Sequence, residues 1–208
     1  MQSLRIGQTC ALLAVGMLSL SALQNTEHPI FSAVRDGDPK KVEAVIAADP
    51  GAVKATHEDG STPLHVLAMF EVITVIYDSR GERTESETTP EGTAVATVLI
   101  AKDVDVNARD KQGITALYRA VQNRKYPLAE LLIKKGAEVN TAVERAPGAE
   151  GLTPLHLAAA YGDLRLVKLL LSKGANPSAR SKPGKTPVDL AVQFKHRDVV
   201  AALEAAIK

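Results

Sequence analysis

Histidine, cysteine and carboxylate side chains are the groups in this chain whose types could perform chemistry. The histidines and the one cysteine are His28, His57, His65, His156, His196 and Cys10. No pair of histidines has the H-x-x-x-H spacing, with a nearby carboxylate, that brings two imidazoles onto one helix face for zinc. A lone thiol forms neither an intramolecular disulfide nor a cysteine-based zinc site. We therefore predict no metal and no cofactor.

Motifs for nucleophilic catalysis and phosphate binding are also missing from the sequence. The chain has no G-x-S-x-G element and no glycine-rich phosphate loop. Its serine, histidine and aspartate residues are scattered without a motif around them. We predict that the chain is not an enzyme and has no catalytic residues.

The composition is typical of a soluble domain. The chain has 208 residues, with 25 Lys and Arg against 24 Asp and Glu, for a net charge of +1. This balance argues against a nucleic-acid partner, which usually requires a strongly basic face. Aromatic residues make up only 3% of the chain, so the core must be built from Ala, Leu, Val and Ile.

One short motif occurs four times and indicates a repeating structural unit. Gly60-Ser-Thr-Pro-Leu-His returns in altered form from Gly113, Gly151 and Gly184. The glycines are separated by 53, 38 and 33 residues, which fits a unit of 33 residues with insertions in two of the copies. A second element, Leu-Leu-x-x-Lys-Gly-Ala, follows the motif in the two middle repeats.

Each copy has the local features of two short helices. Thr62, Thr153 and Thr186 precede a proline, which predicts an N-cap followed by proline at the first helical position. A second apolar helix follows from Leu164, and Gly174 supplies a left-handed C-cap. One such pair leaves an apolar face that only a neighbouring pair can cover.

The period and the Thr-Pro-Leu-His-x-Ala motif resemble those of the ankyrin-repeat family. The resemblance covers about residues 29–208 and implies an all-α solenoid of about five helix pairs with short hairpin loops. The expected repeats are 29–57, 58–109, 110–142, 143–180 and 181–208.

The second repeat carries a long insertion at residues 71–91. It holds six acidic and two basic residues, and its Val72–Tyr77 run is rich in β-branched side chains. A short hairpin and a lengthened first helix followed by a loop both fit this pattern. A partner-contacting loop and a tolerated surface excursion are both open functional interpretations.

The C-terminal end of the chain is basic. Between Arg165 and Arg197 there are eight Lys and Arg residues and one acidic residue, Asp189. Such a segment is either a patch for an acidic partner or an anionic surface, or simply a solvated face.

The resemblance implies that the concave face binds a protein partner. Its contact positions lie at the hairpin tips and at the ends of the first helices. Carried onto this chain, these are Met69, Phe70, Lys111, Gln112, Ile114, Gln122, Asn123, Glu150, Leu152, Tyr161, Lys182, Lys185, Gln193 and Phe194. Three of the seven aromatic residues, Phe70, Tyr161 and Phe194, share one position of the repeat. For His65 and His156 the resemblance implies a structural role in the turn.

The first residues of the chain indicate export. Arg5 is the only charge before Glu27, and the apolar stretch from Thr9 to Leu23 is too short to span a bilayer at ~1.5 Å per residue. A basic start, a short apolar segment and small residues are typical of a secretory signal peptide. We expect residues 1–22 to be removed, which leaves a periplasmic or secreted monomer without a membrane anchor.

The sequence therefore favours a non-catalytic, exported binding module of bacterial origin. An accessory protein that supports another periplasmic enzyme and an immunity-type inhibitor of a toxin are both open alternatives. Binding to an anionic surface through the basic end is a third hypothesis, which predicts strong sensitivity to salt.

Overall fold

The computed structural model describes residues 27–70, 76–77, 83–84 and 90–207. The expected signal peptide, 1–22, and most of the insertion lie outside these residues. Within them the chain forms ten α-helices, one 3-10 helix and two short strands. The α-helices are α1 (Pro29–Asp36), α2 (Pro39–Ala48), α3 (Pro63–Met69), α4 (Pro90–Ala101), α5 (Ala116–Gln122), α6 (Tyr126–Lys134), α7 (Pro154–Ala160), α8 (Leu164–Ser172), α9 (Pro187–Gln193) and α10 (Arg197–Ile207).

The helices stack as five pairs in two layers. Helices α1, α3, α5, α7 and α9 contact one another in that order and form a row of first helices. Each first helix packs against the second helix of its own pair. The predicted all-α solenoid of helix pairs is confirmed. A 3-10 helix at Pro50–Lys54, after α2, was not expected.

The hairpin tips that precede the first helices are joined by backbone hydrogen bonds. The Lys111 N–H donates to the Asp59 carbonyl at 2.8 Å, and the Lys182 N–H donates to the Glu150 carbonyl at 2.9 Å. A third bond, between Glu144 and Gln112, joins the tips of the third and fourth repeats. Because each tip satisfies backbone groups of its neighbour, the row of tips is fixed along the stack.

Buried histidines tie two of the first helices, α3 and α7, to the next repeat. The Thr62 N–H donates to His65 Nδ1 at 3.2 Å, so Nδ1 is an acceptor and the hydrogen lies on Nε2. That Nε2–H donates to the Ile114 carbonyl of the next repeat at 2.9 Å. His156 repeats the arrangement with Thr153 and the Lys185 carbonyl. Both imidazoles are fully buried, which matches the turn role that the resemblance implied.

The last turn of this series has an aspartate instead. Asp189 accepts hydrogen bonds from the N–H and the hydroxyl of Thr186, at 2.8 and 2.9 Å. An ionised aspartate only accepts hydrogen bonds, so Asp189 closes its own turn without the donor group that His65 and His156 supply to a next repeat.

Small and branched apolar residues build the core, as the composition predicts. Alanines such as Ala68, Ala120 and Ala159 are fully buried in the first helices and allow close helix packing. Among the aromatic residues, Phe31 and Tyr118 are buried. Burial raises the pKa of the Tyr118 hydroxyl to about 12.

The insertion lies between the two helices of the second repeat, as predicted. Helix α3 ends at Met69, so the first helix is not lengthened. Strands β1 (Ile76–Tyr77) and β2 (Arg83–Thr84) pair antiparallel, with Ile76 opposite Thr84 and Tyr77 opposite Arg83. Of the two alternatives left open, the described residues fit the hairpin.

Candidate protein-binding surface

The structure divides the predicted contact residues into two rows. One row contains the hairpin tips, at the N-terminal ends of the first helices. The other row contains the residues at the C-terminal ends of those helices. A seven-residue helix such as α7 separates the two rows by about 10 Å.

The C-terminal row is centred on four residues that cap successive first helices. We call them the C-cap column; they are Phe70, Asn123, Tyr161 and Phe194. The three aromatic members are exposed by 43%, 37% and 52% of their surface. Exposed rings on rigid helix ends are suited to anchor a partner, because a ring offers much contact area with few rotamers to restrict.

Arginines of the neighbouring repeats lie over two of these rings. The Arg35 guanidinium lies 5.6 Å from the centre of the Phe70 ring. The Arg124 guanidinium lies 5.5 Å from the centre of the Tyr161 ring, and its Nη2 donates to the Tyr161 carbonyl at 3.3 Å. These cation–π contacts orient the rings and place positive charge beside them.

The remaining predicted residues near the C-cap column differ in availability. Met69 and Gln193 are exposed, and Gln122 is half-buried. Asn123 is exposed, but its Nδ2 donates to the Ala68 carbonyl of the preceding repeat at 2.9 Å. The Asn123 amide therefore links two repeats, in addition to any contact with a partner.

Lys125 is a residue of this region that the sequence analysis missed. Its side chain is only 5% exposed, and its Nζ donates to the carbonyls of Leu67, at 2.9 Å, and Phe70. These carbonyls end helix α3, so the ammonium caps the negative end of that helix from the next repeat.

The predicted residues of the hairpin-tip row differ in exposure. Lys111, Gln112, Lys182 and Lys185 are exposed, and Glu150 is half-buried. Glu150 accepts a hydrogen bond from the Gly148 N–H at 3.0 Å.

Ile114 is a correction to the predicted surface. Its side chain is 4% exposed and belongs to the core, so it offers no contact to a partner. The Asp110 carboxylate accepts the N–H groups of Gln112 and Ile114, both at 2.9 Å, and this turn directs Ile114 inward. Leu152 is half-buried and packs against the same core.

The described ion pairs concentrate away from the basic end. Glu27 pairs with Arg35, Asp110 pairs with Arg119 at 3.3 Å, and Arg109 pairs with Glu144 at 2.5 Å. By contrast, no carboxylate of the described residues lies within 4 Å of four exposed basic residues in the last repeat. They are Lys182, Lys185, Lys195 and Arg197.

We also searched the described residues for metal sites and for membrane-spanning helices. Its residues include no group of three or more His, Cys, Asp or Glu side chains placed to hold a metal. None of its helices has the length and apolarity needed to cross a membrane.

Comparison with known families identifies the repeat. A model of three ankyrin repeats matches residues 30–143, and a single ankyrin-repeat model matches residues 150–182. The chain belongs to the ankyrin-repeat family. Ankyrin repeats generally mediate protein–protein interaction and are typically non-catalytic, which agrees with two exposed rows on a rigid stack.

Three relatives match this chain over different shares of their own length. Rabankyrin-5 of Homo sapiens is 38% identical over 98 residues, 43% of this chain and 8% of the relative. Nuclear factor NF-kappa-B p105 subunit of Gallus gallus is 34% identical over 125 residues, 50% of this chain and 12% of the relative. Probable 26S proteasome regulatory subunit p28 of Saccharomyces cerevisiae is 26% identical over 197 residues, 86% of this chain and 84% of the relative. The chain therefore spans a small part of the first two relatives and most of the third.

Proposed function

We propose that this chain is a non-catalytic module that binds one protein partner through the face formed by its first helices and hairpin tips. The observation that carries the proposal is the C-cap column. Three aromatic residues are exposed at the same position of different repeats, whereas Phe31 and Tyr118 are buried. Exposed aromatic residues aligned on one surface are common anchors of protein interfaces.

The geometry supports a preformed binding surface. Each aromatic residue of the C-cap column is the C-cap of a first helix. Backbone hydrogen bonds fix that helix within the stack. Little conformational entropy is then lost on binding, which favours affinity. The exposed tip residues Lys111, Gln112, Lys182 and Lys185 would form a polar rim around the contact.

The size of the chain also supports this role. The yeast relative that matches over most of its length is named as a regulatory subunit of a larger assembly. A chain of similar length could likewise act by binding to another protein.

We further propose that the protein is bacterial, is exported after removal of residues 1–22, and acts as a monomer in the periplasm. The support is the charge and apolarity of the first residues, including the single basic residue Arg5 before Glu27. Sequencing the N-terminus of the protein recovered from its own cells tests this. A start between Ala22 and Asn25 is expected, and an intact Met1 would contradict export.

The binding proposal is tested by capture from the host's own extract, followed by cross-linking and mass spectrometry. Wild type is compared with Tyr161→Ala/Phe194→Ala and with Ile207→Ala, which removes an apolar residue that is 51% exposed on α10, outside the row of first helices. We expect one protein that wild type and the control retain, that the aromatic variant loses, and whose cross-links reach Lys182 or Lys185. Equal retention by all three would contradict the proposal.

The affinity of the retained protein separates the two alternatives for its role. An immunity-type inhibitor requires tight binding that blocks the partner's activity. An accessory protein binds more weakly and leaves the partner active or more active. Both roles would use the same proposed binding surface.

A further inference from the structure

The turns that follow the first helices place two basic residues in a strained backbone conformation. The N–H groups of Gly37, Arg124, Gly162 and Lys195 each donate to the carbonyl three residues earlier, at 3.1 to 3.2 Å. These four residues therefore occupy equivalent positions. All four have a positive φ, at 71°, 53°, 69° and 64° in that order.

Glycine is the residue that this position favours. A side chain on an L-residue in the left-handed region is crowded by its own backbone, and glycine avoids that cost. Asn and Asp tolerate the region better than other residues, but the third and fifth repeats have Arg and Lys. Strain that recurs at one position in long basic side chains points to a function for those side chains.

Both basic residues border the C-cap column. Arg124 follows Asn123 and lies over the Tyr161 ring, and Lys195 follows Phe194 directly. Arg197, at the start of α10, adds a third exposed positive charge. We call Arg124, Tyr161, Phe194, Lys195 and Arg197 the cation–aromatic strip.

The positive charge of the strip is not neutralised within the described part of the chain. No described carboxylate lies within 4 Å of Arg124, Lys195 or Arg197. Asp163 is buried and already accepts from the Tyr126 hydroxyl at 2.6 Å and from the Leu166 N–H at 3.0 Å. Asp198 is exposed in α10 beside Arg197, so the strip retains a net positive charge.

We propose that this strip binds an acidic segment of the protein partner. Carboxylates of the segment would pair with Arg124 and Lys195, and its apolar side chains would cover Tyr161 and Phe194. This inference rests on the proposed function and specifies the chemistry of the partner. Electrostatic complementarity of this kind sets specificity and association rate, and weakens with salt.

An acidic protein segment fits the strip better than a single-stranded nucleic acid. A nucleic-acid groove tracks many phosphates with a continuous basic lining. Here three cations are interspersed with two rings and with the uncharged Asn123, and the whole chain has a net charge of only +1.

The test uses random dodecapeptides displayed on phage and panned on the full chain. Parallel panning uses Arg124→Gly/Lys195→Gly, which removes both charges and the left-handed strain. A second variant, Arg124→Gln/Lys195→Gln, removes only the charges. The matched control is Asp103→Gly, because Asp103 also has a positive φ, 60°, but lies outside the strip, after α4.

We expect wild type and the control to enrich peptides rich in Asp and Glu with one or more apolar residues. Both strip variants should bind these peptides about tenfold more weakly. The thermal midpoint of the glycine variant should be no lower than that of wild type, because relief of strain compensates for the added freedom of its unfolded chain.

Three results would overturn the inference. The strip variants could retain the same peptides, the enriched peptides could be neutral or basic, or a single-stranded oligothymidine could bind more tightly than any peptide. Peptides lost by Tyr161→Ala/Phe194→Ala but kept by both strip variants would overturn this inference and leave the proposed function standing. If no variant differs from wild type, both fail.

Discussion

At the scale of single residues, His65 and His156 show how one side chain can serve two repeats. Each accepts a hydrogen bond from its own turn and donates one to the next repeat. Only a neutral imidazole does both. Burial, the largest influence, lowers the pKa of both histidines below the usual value of 6.5.

This lowered pKa predicts a pH-dependent stability. Below a pH of about 6.5 these histidines are protonated in the unfolded chain but remain neutral in the folded chain. The free energy of unfolding is therefore highest above the pKa of the unfolded state and falls as the pH drops through about 6.5. Urea unfolding of wild type at neutral and mildly acidic pH should show this loss. The double variant His65→Gln/His156→Gln should show a smaller loss, and an equal or larger loss in the variant would contradict the account.

Sequence could supply the role of these histidines but not the identity of every contact residue. The Thr-Pro-Leu-His motif is local, and its turn forms at both places where the motif occurs in this chain. Ile114 was misplaced because its direction depends on how the Asp110 carboxylate closes the hairpin tip. That closure is a property of the folded turn and has no marker in the spacing of the repeat.

At the scale of elements, the helices are fixed by interactions between repeats as much as by their own sequences. Lys125 belongs to the turn before α6, yet its ammonium caps the carbonyl end of α3. A helix of seven residues is too short to be stable alone, so such caps from neighbours contribute strongly to its formation.

We predict that Lys125→Met destabilises the protein by about 2–4 kcal/mol, because two charge-assisted hydrogen bonds, to the carbonyls of Leu67 and Phe70, are lost. The control is Lys134→Met, since Lys134 is exposed at the end of α6 and its replacement should change stability by about 0.5 kcal/mol or less. Denaturant unfolding of both variants measures the difference. Similar values for the two variants would show that the cap on α3 contributes little.

The pairs of helices and the position of the insertion could be predicted because the motif marks where each first helix begins. The 3-10 helix at Pro50–Lys54 and the burial of Lys125 could not. A lysine in a turn is ordinarily solvated, and only the approach of the preceding helix end provides carbonyls for it. The left-handed conformation of Arg124 and Lys195 could not be predicted from the sequence either, since neither is a residue that favours it.

At the scale of the whole molecule, the stack brings residues from distant parts of the chain onto one side. Phe70 and Phe194 are far apart in sequence but cap equivalent helices. The sequence predicted this alignment through the period of the repeat. It could not predict that Arg35 and Arg124 lie over the rings, because those contacts join different repeats.

The charge along the sequence differs between the second repeat and the last two repeats. The insertion at residues 71–91 is acidic in sequence, and the segment from Arg165 to Arg197 is basic. Among the described ion pairs, acidic partners are supplied mainly in the first four repeats. A partner that carries an acidic segment would therefore bind in one direction along the stack.

The central claim is that the C-cap column anchors a protein partner. It is tested most directly by the affinity of the captured partner for three forms of the chain, measured by calorimetry. Tyr161→Ala/Phe194→Ala should weaken binding by about thirtyfold, because two anchors of at least ~1 kcal/mol each are removed. Ile207→Ala, which removes an apolar residue exposed by 51% on α10, should leave the affinity within about twofold of wild type. Unchanged affinity in the aromatic variant, or an equal loss in the control, would contradict the account.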